Sequence, residues 1–387
     1  MYPHQAERLD DARARLGVDA IVAASAANVA YVTGFRSLAR EANPAIFAVY
    51  ARTGTALVIP AVEAAACVAG DVQVDHVVCH GHCHVDVGER AGEAARRAAQ
   101  LMAAATTSPA DALLSALRAL GVADRAIGLD SAPLTEAAAR SVVGGLEAAK
   151  IHPASGALAE ARVVKGPYEI DCLQQALRIA EEAIHEVLGE LGAGISERDA
   201  AAVYERAVER RGARPSAALV AFGANTALPL AAPGDRALRS GDFVRFDVGC
   251  VFKGYHAAVA RMAMLGEPTA AQEARYGAVE AGVDAALAAI RPGVAARAVF
   301  DAATAAVRAA GIPAFRSDHV GHGIGLEPVE APWLAAETAP LEAGMVVRVE
   351  IPVYELGALG LQVKETVLVN NGGAAPMNRS NRGLVVV

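Results

Sequence analysis

The chain has 387 residues, of which 54% are hydrophobic and 4% aromatic, and its net charge is −8 with histidine neutral. That length suits two domains with ample core and excludes a disordered or fibrous chain. The acidic balance argues against nucleic acid as a partner, because phosphate binding needs a basic face.

The start, MYPHQAERLD, lacks the basic and then apolar run of a secretory signal, and no apolar run reaches the length of a membrane span. The five cysteines are scattered and odd in number, as in reduced thiols. The expectation is a cytoplasmic protein with no membrane association.

In chain order, ERLDDARARLGV predicts a helix and DAIVAAS a strand, and PAIFAVYARTGTALVIP predicts a hairpin through Thr53-Gly54. QVDHVVCH is another strand. It runs into CHGHCH, where Cys79 and Cys83 with His80, His82 and His84 offer thiolate and imidazole ligands. All five are local, whereas a closed site recruits separated pairs, so adventitious or no metal binding is expected there. Residues 89–120 form a helical stretch broken near Ser108-Pro109, and RAIGLD is a further strand. The segment IHPASGALAEARVVKGP looks like a linker, giving an α/β domain over 1–155 and a second domain over 156–387.

That second domain opens with the helix PYEIDCLQQALRIAEEAIHEVLGEL, then SERDAAAVYERAVERRG with Ser196 as N-cap, then strands to about 265. The order repeats with helices 270–291 and 295–310 about Pro292-Gly293, followed by strands to the end. Two helix-helix-strand halves suggest an internal duplication, and the class predicted for this domain is α+β.

Three strands carry polar residues at i and i+2, hence on one face. These are Arg245 and Asp247 in FVRFDVG, Arg348 and Glu350 in MVVRVEIPV, and Gln362 and Lys364 in LGLQVKETVLV. Burying such groups is costly unless they pair or serve a site. A Gly-His-Gly-Ile-Gly run, in SDHVGHGIGLEPVEAPW, presents His322 on a tight turn.

These segments, with RVVKGPYEIDCLQQA and AFGANTALPLAAPGDRALRSGDFVRFDVG, resemble in order and spacing the pita-bread superfamily of prolidases, aminopeptidase P, methionine aminopeptidases and creatinase. SAANVAYVTGF resembles the N-terminal domain of the prolidase and creatinase branch. The resemblance covers nearly the whole chain and implies a pita-bread domain behind a creatinase/prolidase-type α/β domain.

The peptidases of that superfamily hold two metal ions with two Asp, one His and two Glu. By the resemblance, Asp247, His322 and Glu350 match three of these positions. The second Asp falls on Ala258 and the last Glu on Lys364. The two substrate histidines fall on Leu230 and Val329. A hard cation needs several oxygen or nitrogen ligands, so no metal and no cofactor are expected. Arg261 matches a structural ion-pairing arginine. Arg36 and Arg40 match positions that reach a partner subunit's pocket, which implies a homodimer.

The predicted pocket is therefore catalytic His322, Glu350, Asp247 and Lys364, with Arg245, Arg348, Gln362, His256 and Arg40 binding substrate. Three cations against two carboxylates favour a small carboxylate-bearing, amino-acid-like substrate. His322 would be general acid or base, oriented by Glu350 or Asp247, with Lys364 as a second proton shuttle. The leading reading is a metal-independent, creatinase-like C–N hydrolase or lyase. A non-catalytic small-molecule or protein binder and an Xaa-Pro dipeptidase with a reduced metal site stay open.

Overall fold

A computed structural model describes residues 2–37, 45–70, 72–146, 150–335 and 338–387. The chain divides into two compact units, Met1–Arg162 and Val163–Val387.

The first unit is built on six strands: β1 (Ala20–Ala23), β2 (Phe47–Ala51), β3 (Gly54–Pro60), β4 (His76–His80), β5 (Ile127–Leu129) and β6 (Ile151–Pro153). They form one sheet in the order β4-β3-β2-β1-β5-β6, antiparallel only at β1–β2 and β2–β3. Its helices are α1 (Pro3–Leu16), α2 (Ala26–Thr33), α3 (Ala64–Ala69), α4 (Glu93–Ala103), α5 (Pro109–Ala119), α6 (Glu136–Gly145) and α7 (Ser155–Val163). The break expected near Ser108 is real, since Ser108 Oγ caps α5 by accepting from the Asp111 amide at 3.1 Å.

The segment read as a linker is instead β6 and α7. Its small residues pack: Leu158 and Ala161, three apart on one helical face, are buried with Arg162. In CHGHCH, β4 ends at His80, so the three histidines do not share a strand face. His80 Nε2 is hydrogen-bonded to the Ala45 carbonyl at 2.8 Å. Burial pushes the Cys79 thiol up to about 11.

The second unit repeats a helix pair followed by strands. The first half holds α8 (Pro167–Glu190), α9 (Glu197–Arg210), β7 (Arg214–Phe222), β8 (Phe243–Phe252) and β9 (Tyr255–Met264). The second holds α10 (Ala270–Ala289), α11 (Ala296–Ala309), β10 (Gly321–Gly323), β11 (Glu330–Trp333), β12 (Val346–Glu355), β13 (Leu359–Asn370) and β14 (Gly373–Pro376), and β15 (Val385–Val386) ends the chain. The sheets run β15-β9-β8-β7 and β11-β10-β12-β13-β14. A mixed α+β unit is what the helix-then-strand pattern predicts.

Each half has its own core. Leu173, Leu177, Ala180, Ile184 and Val187 of α8 form a stripe at helical spacing against Val244, Phe246 and Val248 of β8. In the second half, Val279 and Val283 of α10 meet Val347, Val349 and Ile351 of β12 with Val363 of β13. At the β8–β9 hairpin, Lys253 and Gly254 both have positive φ, 48° and 85°, as a two-residue I′ turn requires. That turn fixes the register that sets Asp247 opposite Ala260 and Gly249 opposite Ala258. With one strand face committed to each core, the other face of β8, β12 and β13 carries the polar residues.

Candidate functional site

On those free faces the structure brings Asp247, His322, Arg348, Glu350 and Lys364 together, all buried. Lys364 and Glu350 are register partners across β12–β13. The Lys364 ammonium donates to Asp247 Oδ1 and lies 3.6 Å from Glu350 Oε2. Arg348 Nη2 lies 3.1 Å from the same Glu350 oxygen. Burial alone would raise the Glu350 carboxyl, but the Arg348 and Lys364 cations outweigh it and hold it below its usual range.

His322 is not oriented by Glu350 or Asp247, which corrects that expectation. The short strand β10 sets it opposite Arg348. Its Nδ1 donates to the Gly323 carbonyl at 2.8 Å, which leaves Nε2 as the acceptor, and Arg348 Nη2 donates to that nitrogen at 2.5 Å. Burial, then the Arg348 charge, push its protonation down to about 4. With Nε2 accepting from Arg348, His322 would have to release that hydrogen bond before it could take a proton from a substrate.

The turn that presents His322 leaves no spare room. Gly321 has φ +140°, and a Cβ there would lie 2.0 Å from the Arg348 carbonyl oxygen. Only glycine lets β10 approach β12 this closely.

Of the predicted substrate residues, Arg245 and Gln362 lie on the same faces as this cluster. Arg245 is fully buried, donates from Nη2 to the Leu228 carbonyl at 2.9 Å, and stacks 5.2 Å over the Tyr354 ring. Its Nε and Nη1, together with Gln362 Oε1, Arg348 Nε and Thr366 Oγ1, are buried without a partner among the described residues. His256 alternates onto this face of β9, and its amide donates to the Gly325 carbonyl at 2.9 Å. Burial, then Arg214, push its protonation down to about 4 as well. Arg40 lies outside the described residues, and Arg36 is exposed.

Three contributors went unnoticed in the sequence. Tyr354, four residues after Glu350 on the same strand, shares its face, so alternation alone could have found it. His319 Nδ1 lies 3.6 Å from Glu350 Oε1. The Trp333 ring stands 5.2 Å from both His319 and His322, and its only signal in the sequence is being the one tryptophan.

Arg261 points to the other face. It lies 3.1 Å from Glu365 and 3.6 Å from Glu181, and its Nη1 donates to the Lys364 carbonyl at 2.6 Å. It thus fixes the backbone that carries Lys364, in keeping with the ion-pairing role that the resemblance implies.

The metal pair implied by the resemblance does not fit these residues. Ala258 supplies no donor, and an ammonium stands against Asp247 Oδ1 and Glu350 Oε2 where a cation would sit. The one free nitrogen of His322 is already filled by an Arg348 N–H. Among the described residues, no group of three or more His, Cys, Asp or Glu is arranged to hold a metal ion. Nor is any helix among them long and apolar enough to cross a membrane.

Comparison with known proteins gives the frame for this site. Residues 5–164 match the creatinase/prolidase N-terminal domain, and residues 171–371 match metallopeptidase family M24. The Xaa-Pro dipeptidase of Pyrococcus furiosus is 29% identical over 227 residues, 58% of this chain and 65% of that protein. An uncharacterized peptidase of Staphylococcus aureus is 27% identical over 248 residues, 63% of this chain and 71% of its own. The X-Pro aminopeptidase structure from Thermotoga maritima superposes with a TM-score of 0.81 at 23% identity, covering 98% of this chain and 100% of that one. The N-terminal creatinase/prolidase domain and the pita-bread architecture are those expected from the sequence. With the second match alone spanning more than half its length, the chain belongs to metallopeptidase family M24.

Proposed function

We propose that this chain is a metal-independent member of the family that binds a small carboxylate-bearing molecule. The observation that carries this is the Lys364 ammonium held by Asp247 and Glu350. An ammonium supplies positive charge, but it offers no open coordination position and generates no metal-bound hydroxide. Arg245, Arg348 and Lys364 against Asp247 and Glu350 leave one positive charge for a ligand, with His322 neutral. The occupied Nε2 of His322, which accepts from Arg348, supports binding over acid–base catalysis and so favours a binder over the C–N hydrolase or lyase reading.

Hydrolysis of Xaa-Pro dipeptides is the second reading, favoured by the similarity to the Pyrococcus furiosus Xaa-Pro dipeptidase. The two separate on one preparation. Glycyl-proline and glycyl-alanine are titrated calorimetrically and then incubated with the protein, with EDTA or with manganese, while free amino acid is followed. The proposal expects saturable binding that EDTA does not alter, and no cleavage. Manganese-dependent release of proline would install the dipeptidase reading, and release in EDTA would return the metal-free hydrolase. Absence of any binding would remove the carboxylate ligand.

A further inference from the structure

We infer that Arg245 and Gln362 form a two-part subsite, in which Arg245 takes the carboxylate of the ligand and Gln362 accepts an N–H or O–H of the same molecule. This rests on the proposed binding role of the site and names the chemistry it selects.

Arg245 is 0% exposed, and its Nη2 is engaged by the Leu228 carbonyl at 2.9 Å. Nε and Nη1 have no well-placed acceptor among the described residues, although the Tyr354 hydroxyl also interacts with the guanidinium, and none of the described carboxylates forms an ion pair with it. The other two cations differ: Lys364 and Arg348 each touch a carboxylate. A buried guanidinium with two unused donor nitrogens is costly unless something completes it. The uncompensated positive charge of the cluster therefore resides on Arg245.

Gln362 is 4% exposed, and its Oε1 has no donor among the described residues. Tyr354, on which Arg245 stacks, pairs in register with Gly360. Gln362 is two residues further along β13 and on the same face, so it stands diagonally beside Tyr354. An unused pair of donors and an unused acceptor thus flank one aromatic ring. A carboxylate alone would satisfy only Arg245. A molecule with an N–H or O–H next to its carboxylate satisfies both: an amino acid, a peptide C-terminus or a 2-hydroxy acid.

The segment that covers Arg245 is itself partly exposed. The Leu228 carbonyl belongs to a segment whose Leu228 and Leu230 side chains are 41% and 81% exposed, with Leu230 in the left-handed region at φ 55°.

The test is calorimetric titration of wild type, Arg245→Met and Gln362→Leu with glycyl-alanine, lactate and propionate. Wild type is expected to bind the first two about tenfold or more tighter than propionate, which lacks the donor. Arg245→Met should lose about 100-fold on all three. Gln362→Leu should lose about tenfold on glycyl-alanine and lactate and nothing on propionate. If Arg245→Met does not fold, Arg245→Lys keeps the charge but not the fork, and about a tenfold loss is expected. Wild-type binding that either Arg245 variant retains in full overturns the subsite and leaves the proposed function standing. Binding of none of the three acids by wild type overturns both.

Discussion

Glu350 and Lys364 stand directly opposite each other in the antiparallel pair β12–β13, and the Lys364 ammonium bridges from Glu350, 3.6 Å away, to Asp247 on β8. One side chain therefore ties a strand of the first helix-helix-strand half to two strands of the second. Each buried carboxylate of the cluster faces an opposite charge.

Removing the bridge should expose that interdependence. Lys364→Met keeps the side-chain volume but leaves Asp247 without its ammonium and Glu350 with Arg348 and His319. Breaking a buried pair from one side costs about 3–5 kcal/mol. Urea unfolding of wild type and variant at pH 7 measures it, and a change well below that range would show the bridge to be dispensable. Asp247→Asn in the Lys364→Met background should recover part of the loss, since the uncompensated carboxylate is gone.

The buried histidines give the protein an acid-sensitive stability. His322 and His256 are each held down to about 4 by burial and by a neighbouring arginine, against an ordinary value of 6.5. The unfolded chain then binds more protons than the folded one between those values, so stability is full above about pH 6.5 and falls toward pH 4. For His322 the loss amounts to roughly 3 kcal/mol at the acid end. Glu350, held below its ordinary range, adds a further loss at lower pH as it protonates. His322→Gln keeps an acceptor for Arg348 and should flatten its share of the slope between those two values. Superimposable profiles for wild type and variant would show that His322 is not held neutral by the fold.

Arg261 should matter far more to stability than its charge alone suggests. It is 4% exposed among Glu365, Glu181 and the Lys364 carbonyl. Arg261→Met is expected to cost about 3–5 kcal/mol. Arg297→Ala, which removes an exposed pair with Asp301 at 2.8 Å, is expected to cost about 0.5 kcal/mol. Equal midpoints for the two variants in thermal unfolding would contradict the buried network.

The alternation of Arg245 with Asp247, of Arg348 with Glu350 and of Gln362 with Lys364 made the polar faces legible, because a strand assigns faces by parity. Parity does not assign partners. That His322 meets Arg348 rather than a carboxylate follows from β10 pairing with β12, a contact fixed by three residues and a glycine approach that leaves no periodic signal. Nor did composition reveal α7: Ser, Gly and Ala in ASGALAEARV read as a linker, yet the same small residues let Leu158 and Ala161 pack closely. Tyr354 was within reach of the sequence, since it shares the parity of Glu350.

Whether Lys364 stands in place of a metal pair is tested most directly by bound metal per chain. Protein carrying Cys79→Ser and Cys83→Ser is offered manganese, zinc or iron, desalted and assayed by elemental analysis, beside the same protein with Ala258→Asp and Lys364→Glu. Essentially no metal is expected in the first and a gain in the second, where two carboxylates return. A stoichiometric ion in the first, lost when His322 is changed to Ala, would contradict the replacement of metal by ammonium.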